Sequence, residues 1–367
     1  MQIAIIGLPG SGKTTVFNTL TRGHAETGGF GGLQLHVGVV KVPDDRLDRL
    51  AELFHPKKIV HADVTYIDLP AIPASADGRP GAEELPAEHL ARLRDADALL
   101  HVVRAFESEA HPHPSGTVDA RRDLDQLDLE FVMADLAVVD RRLDRLQASG
   151  RHGTQAEREA NEREAVILER LKEGLEAGRP IRDLGLAPEE EKLLRGFRFL
   201  TQKPVLVLLN IGEGDIPRRA DLVAAIAGDY RHEHSLVDAL SARIEMELGE
   251  LEADEAAVFM TDLGIAETSL DRVIRLSYQL LGLISFLTAG PDEVRAWPVP
   301  DGASAVDAAG TIHTDLARGF IRAEVVPYED LVELGSTAEA RRHGKLRSEG
   351  RTYQVRDGDV IEVLFSR

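Results

Sequence analysis

Residues 7–15 read "GLPGSGKTT", closing a strand-like apolar run, "IAIIG" (3–7), and opening a helical pattern, "TTVFNTL" (14–20). The stretch fits G-x-x-x-x-G-K-[ST] in full, with the strand before it and the helix after it that a phosphate-binding loop requires. Gly7, Gly10 and Gly12 let successive backbone N–H groups face one concavity. A helix beginning near Lys13 aims the positive end of its dipole at the same point. Pro9, Gly10, Ser11, Gly12, Lys13, Thr14 and Thr15 are therefore the expected phosphate-side residues of a nucleotide site. Lys13 is expected to reach the β- and γ-phosphates as a catalytic cation, and the Thr14 hydroxyl to ligate Mg²⁺.

A second metal position follows from "VTYIDL" (64–69), a strand that ends in Asp68. An Asp at that strand end holds magnesium through water in P-loop nucleoside triphosphatases, so Thr14 and Asp68 form the expected metal pair. A guanine-nucleotide switch protein would continue Asp-x-x-Gly and then glutamine. This chain continues Asp68-Leu69-Pro70-Ala71-Ile72. The glycine whose N–H meets the γ-phosphate is alanine, and the water-positioning slot holds isoleucine.

The pattern around these motifs is that of an α/β protein with a parallel sheet. "ALLHVV" (98–103) and "PVLVLL" (204–209) read as two more buried strands, separated by a long insertion. In that insertion Leu129, Val132, Leu136, Val139, Leu143 and Leu146 are spaced as a heptad seam on a charged helix of about 123–147. A polar tip, "SGRHGTQ" (149–155), precedes a second helix whose Ala165, Leu168, Leu171 and Leu175 share a face, so an antiparallel helical hairpin is expected. Residues 253–283 are helical in pattern. The chain then alternates strand, helix and strand, and closes with "TYQVRDGDVIEVLF", whose Asp357-Gly358 is a hairpin signal. The expected division is 1–118 for the first part of the nucleotide-binding domain, 119–197 for the hairpin, 198–278 for its second part and 279–367 for a compact α+β domain.

The 367 residues suffice for two or three cores. A net charge of −20 opposes broad affinity for nucleic acid or anionic membranes. There are 0 cysteines, so disulfides, thiolate metal sites and thiol switches are excluded. No apolar run reaches the roughly 18 residues of a membrane span, and the first residues lack the basic and apolar regions of a signal peptide. A cytoplasmic monomer without membrane contact is expected.

The base end of the site is written in "NIGE" (210–213), directly after the strand 204–209. A guanine reader carries Asn-Lys-x-Asp there; here the Lys is Ile211 and the Asp is Glu213. The Asp carboxylate accepts from guanine N1–H and the 2-amino group, whereas adenine presents a bare N1 acceptor. One further methylene in Glu213 swings the carboxylate off that position, and losing such a polar pairing costs up to ~10⁴-fold in selectivity. Asn210 is expected to serve N7 and the exocyclic amine of adenine. "SAR" (241–243) lies where a Ser-Ala-Lys-like base loop would be, which adds Ser241 to Asn210, Ile211 and Glu213.

Five stretches carry a resemblance over essentially the whole chain: "GLPGSGKTT", "HVGVVKVPDDRLDRLAEL" (36–53), "RLRDADALLHVVRAFE" (92–107), "TQKPVLVLLNIGE" (201–213) and 278–336, which begins "YQLLGLISFLTAGPDEVRAW". The chain resembles the YchF/Obg-like ATPase family. The resemblance implies an α/β P-loop G-type domain, an inserted helical hairpin and a C-terminal TGS-like β-grasp domain. It also implies preference for ATP over GTP and association with the ribosome, its RNA or its proteins. It casts His113, in "HPHPSGTVD" (111–119), as the loop histidine that promotes hydrolysis. Departures lie in the switches: Gly32 stands where the family carries a Thr, and the neighbouring cysteine is absent. The expected activity is thus a weak, Mg²⁺-dependent nucleoside triphosphatase. The alternatives are a nucleotide-gated scaffold without hydrolysis, a GTP-binding Obg-type GTPase, or a small-molecule kinase, for which no arginine-rich lid is seen.

Overall fold

The structure is a computed structural model that describes residues 1–23, 26–28, 35–69, 87–149, 154–263, 265 and 267–366. In chain order the strands are β1 (Gln2–Ile6), β2 (Glu26–Gly28), β3 (Leu35–Lys41), β4 (Lys58–Val60), β5 (Asp63–Asp68), β6 (Ala98–Ala105), β7 (Val205–Ile211) and β8 (Ser235–Leu240). They continue with β9 (Leu283–Ala289), β10 (Glu293–Pro300), β11 (Phe320–Pro327), β12 (Arg347–Glu349) and β13 (Asp359–Phe365). Among the described residues they form two sheets, ordered β2-β3-β5-β1-β6-β7-β8 and β12-β11-β13-β9-β10-β4.

In the first sheet β1 pairs parallel with β5 and β6, β6 with β7, and β7 with β8. Parallel strands are covered on both faces, so they read as unbroken apolar runs. Accordingly every residue of β7 and the first seven of β6 are buried. One face packs Ala4, Ile6, Leu99, Val103, Val207, Leu209 and Ile211 into a single core. The carboxyl ends of β1, β6 and β7 stand side by side, which brings residues 7–15, 104–106 and 210–213 to one edge. Such an edge is where open α/β sheets bind ligands.

Helix α1 (Lys13–Leu20) follows the glycine loop. The helices α2 (Asp45–Phe54), α3 (Ala87–Asp95), α4 (Ala120–Ser149) and α5 (Gln155–Glu176) come next. The expected helical hairpin is α4 with α5, and α4 is longer than its heptad pattern: 30 residues, about 45 Å at ~1.5 Å per residue. The seam does not start where the spacing predicts. Leu129 is 57% exposed. The first turns of α4 instead bury Leu124, Leu127 and Phe131 in the sheet core. Only from Val132 onward does the helix join Val139, Leu143 and Leu146 to Leu168, Leu171 and Leu175 of α5. Asp135 marks that change of partners. Its fully buried carboxylate accepts from the Leu200 and Thr201 N–H groups, from Thr201 Oγ1 and from Arg94 Nη1. Four donors satisfy an anion that burial would otherwise penalise, and they fix the root of the hairpin.

The second compact unit consists of Val39–Val64 and Asp271–Arg367; the first is Met1–Gly38 with Thr65–Leu270. Residues 39–64 thus depart from the expected division at 1–118, because β4 pairs parallel with β10, Lys58 against Glu293. Its sheet is crossed by the helix Ala305–Ile312, whose Ala305, Ala308 and Ala309 pack on Phe286, Val325 and Ile361, a β-grasp arrangement. The Asp357-Gly358 turn is present but joins no hairpin. β13 pairs with β11 and β9, while Gln354 before the turn makes only an isolated bridge to Ser304. Asp357 accepts instead from Ser285 N–H at 2.9 Å, and Gly358 N–H donates back to Ser285 O. Among the described residues no helix is long and apolar enough to cross a membrane.

His101, in the middle of β6, is 1% exposed, and burial together with the Lys13 charge pushes its imidazole down to about 3 from 6.5. Between those values the unfolded chain takes up a proton that the folded chain refuses. Stability is therefore full above pH 6.5 and falls as pH drops toward 3, by at most about 1.4 kcal/mol per pH unit. Urea melts between pH 6.5 and 4 should show a shallower acid slope for His101→Met than for the wild type. Identical slopes would assign the acid sensitivity to another group.

Candidate nucleotide site

The glycine loop is closed by Ser11 N–H donating to Leu8 O at 3.2 Å, and α1 starts with Val16 N–H on Gly12 O at 2.9 Å. Lys13 is 7% exposed, and its Nζ donates to Gly7 O at 2.8 Å. Burial lowers the Lys13 pKa, with the Asp68 charge opposing. Thr14 Oγ1 donates to Asp68 Oδ2 at 3.2 Å. Asp68 is 4% exposed; burial raises its pKa against the Thr14 hydrogen bond, Lys13 and His36. Its Oδ1 has no partner among the described residues, and neither has Ser11 Oγ. His36, whose ring stacks on Phe17, brings Nδ1 to 3.7 Å from Asp68 Oδ2. Gly10 is exposed at the rim, and Pro9 and Thr15 are half-buried.

This donor set suits a hard divalent cation. Magnesium takes one or two protein oxygens and completes its shell with water and phosphate. The exposed Thr14 hydroxyl and the unpartnered Asp68 Oδ1 are such oxygens.

At the other end of the site Asn210, 5% exposed, ties two loops together. Its Nδ2 donates to Ser11 O at 3.0 Å, and its Oδ1 accepts from Ala242 N–H at 3.1 Å. A second Nδ2 hydrogen remains for an acceptor such as N7, which both purines carry. Ser241 is buried as the residue capping the helix Ala242–Glu250, and its side chain makes no cap bond. Glu213 is exposed at the start of the short helix Glu213–Arg218. Ile211 requires a correction. Strand alternation turns its side chain into the sheet core beside Leu209 and Tyr230, so only its backbone faces the base edge.

His113 is 8% exposed and fully engaged. Ser115 N–H donates to Nδ1 at 3.1 Å, so Nε2 carries the proton and donates to Asp123 Oδ2 at 2.8 Å. Arg122 holds the other carboxylate oxygen at 2.8 Å. The imidazole expected to orient water is here held at both ring nitrogens, its Nε2–H buried against the Asp123 carboxylate. Gly32, Ala71 and Ile72, and the hairpin-tip residues Arg151 and His152, lie outside the described residues.

A family model of the C-terminal domain of YchF GTPases, described as a protein of unknown function (DUF933), matches residues 283–366. A model of 50S ribosome-binding GTPases matches residues 2–139. The chain is 41% identical to the ribosome-binding ATPase YchF of Bacillus subtilis, covering 100% of this chain and 99% of that one. The chain belongs to the YchF family. Other relatives are YchF of Escherichia coli O157:H7, 37% identical with 100% and 99% coverage, and the rice Obg-like ATPase 1, 35% identical with 100% and 92% coverage. The solved structure of the Schizosaccharomyces pombe YchF GTPase superposes with a TM-score of 0.84 at 29% identity, covering 99% and 97% of the two chains.

Three neighbours of the site escape motif matching: His36, Asp123 and Arg104. Asp123 sits within a charged helix start and carries no signal. Arg104 does carry one, as a charge at the end of the apolar run 98–103.

Gly12 decides the geometry. It has φ +91°, and a Cβ there would lie 2.3 Å from Asn210 Nδ2. Gly12→Ala should therefore weaken nucleotide binding at least tenfold in calorimetric titration. Affinity within threefold of the wild type would show that the loop yields without loss.

Proposed function

We propose that this chain is a cytoplasmic, Mg²⁺-dependent nucleotide-binding protein that favours ATP over GTP, hydrolyses the triphosphate slowly and works on the ribosome. The observation that carries it is the joint placement of Lys13, Thr14 and Asp68 under a closed glycine loop. Phosphoryl transfer relies on positioning and charge neutralisation. Lys13 supplies a desolvated cation for the β- and γ-phosphates. Thr14 and Asp68 would hold the magnesium, which supplies further neutralising charge when bound.

Preference for ATP rests on what the base edge lacks. Asn210 offers its free N–H to N7, so it does not separate the purines. Separation falls to Glu213, an exposed carboxylate that no hydrogen bond fixes among the described residues. It holds no acceptor against guanine N1–H, and it can turn to solvent away from adenine N1. Glu213→Asp should shift the ratio of affinities toward GTP, measured by titrating both nucleotides. A hundredfold GTP preference in the wild type would sink this account of the base.

Slow turnover follows from the occupation of His113. For the ring to orient water, its bond to Asp123 must break, and such a step lowers the fraction of competent enzyme. His113→Ala should lower single-turnover hydrolysis without changing ATP affinity, the mark of a group acting only in the transition state. The scaffold reading has the same His113–Asp123 hydrogen bond in its favour. It prevails if the wild type hydrolyses nothing above background with ribosomes present.

The ribosomal partner is proposed from the relatives' names and from the exposed Arg318 and Arg322 of the β-grasp unit. Deleting residues 279–367 would strip β4 of its partner strand, so charge reversal is the cleaner probe. Arg318→Glu with Arg322→Glu should reduce co-sedimentation with ribosomes, assayed with ATP, ADP, GTP and a non-hydrolysable analogue. Full retention would place the contact elsewhere.

A further inference from the structure

Arg104 is among the largest fully buried side chains, 2% exposed at the carboxyl end of β6. Its register partner is Asn210 on β7. Paired residues in neighbouring strands share a face, so the two side chains leave the sheet together beneath the glycine loop. Each meets one glycine. A Cβ on Gly12 would reach Asn210 Nδ2, and a Cβ on Gly10, at φ +78°, would lie 3.3 Å from Arg104 Nη1.

The hydrogen bonding of Arg104 is incomplete in one direction. Nε donates to Phe106 O at 3.1 Å and Nη2 to His111 O at 2.7 Å. The guanidinium carbon sits 4.7 Å from the centre of the Phe106 ring. Nη1, on the loop side, is buried and has no partner among the described residues. The partners are carbonyls and a ring, with no carboxylate among them. A guanidinium keeps its charge in proteins, and a buried charge without a counter-charge is costly. In a chain of net charge −20, a cation left uncompensated beside an anion-binding loop points to the anion as its missing partner.

We propose that Arg104 is a positioning residue for the bound nucleoside di- or triphosphate. Its fork holds the segment 106–111 through two carbonyls, its Nη1 buttresses the Gly10 turn, and its charge is balanced from above by the phosphates. Lysine, a point charge with one head, cannot span the three directions. The assignment rests on the nucleotide-site reading, and the wild type serves as its control.

Full-length Arg104→Met and Arg104→Lys should be titrated with ATP and ADP, alongside melting temperatures without nucleotide. Arg104→Met should weaken both nucleotides at least tenfold, with a melting temperature at or above that of the wild type, because an uncompensated buried charge has been removed. Arg104→Lys should fall between, three- to tenfold below the wild type. Binding by Arg104→Met within threefold of the wild type overturns the proposal, as does Arg104→Lys binding at full strength or no better than Arg104→Met. If Arg104→Met does not fold, Arg104→Lys decides: wild-type affinity, or a loss matched by a fallen melting temperature, overturns it. A wild type that binds neither nucleotide overturns the site itself, and this proposal with it.

Discussion

Everything at the ligand edge depends on how closely β6 and β7 approach the glycine loop. Asn210 reaches under Gly12 and Arg104 under Gly10, at distances where a Cβ has no room at Gly12 and little at Gly10. The approach is possible because β1, β6 and β7 are adjacent parallel strands whose carboxyl ends finish at one level. A parallel order of this kind needs helical crossovers on both faces. The long excursion between β6 and β7 is therefore tied back by buried polar groups, Asp135 above all. The loop is held from beneath by side chains and from within by its own backbone bonds.

The same closeness sets the electrostatics. Lys13 and Asp68 are both nearly removed from water, and burial works against the charge of each. Each partly offsets the other, and Thr14 and His36 lean on the carboxylate. A pair of opposite charges at this depth is at best marginal for the fold. On the function proposed above, the two charges are balanced from outside, by phosphate oxygens for the ammonium and by a divalent cation for the carboxylate. His101 shows the cost of the arrangement, since a third titratable group in that interior is forced neutral.

The phosphate half of the site was legible because its chemistry constrains consecutive residues. "GLPGSGKTT" fixes backbone and side chains together, and Asp68 follows from the end of a strand. The sheet was legible for a related reason, since buried parallel strands leave apolar runs such as 205–209. What stayed hidden depends on contacts between distant segments. Ile211 was placed at the base by its position in "NIGE", yet strand parity turns it into the core. Leu129 fitted a heptad, yet the root of α4 packs on the sheet before it meets α5. Residues 39–64 followed the first domain in sequence, yet three ladder residues bind β4 to β10. The resemblance casts His113 as a loop histidine that promotes hydrolysis, but its hydrogen-bond partner Asp123 lies ten positions on in a different element, where no motif marks it.

These placements give the two ends of the site different characters. At the phosphate end Lys13 and Asp68 are buried, so on the proposed function a substitution there acts on affinity for any nucleotide. At the base end Asn210 spends two of its bonds on the protein, and its remaining N–H suits an acceptor that both purines carry. The proposed selectivity is then left to Glu213, which is exposed and unfixed among the described residues. An exposed carboxylate contributes little to the fold, so its length can change without disturbing the loop 200 residues away in sequence. On the function proposed above, this separation lets the P-loop scaffold keep its phosphate machinery while base selectivity rests on the length of one exposed side chain. It also explains why the altered motif at 210–213 coexists with an intact glycine loop at 7–15.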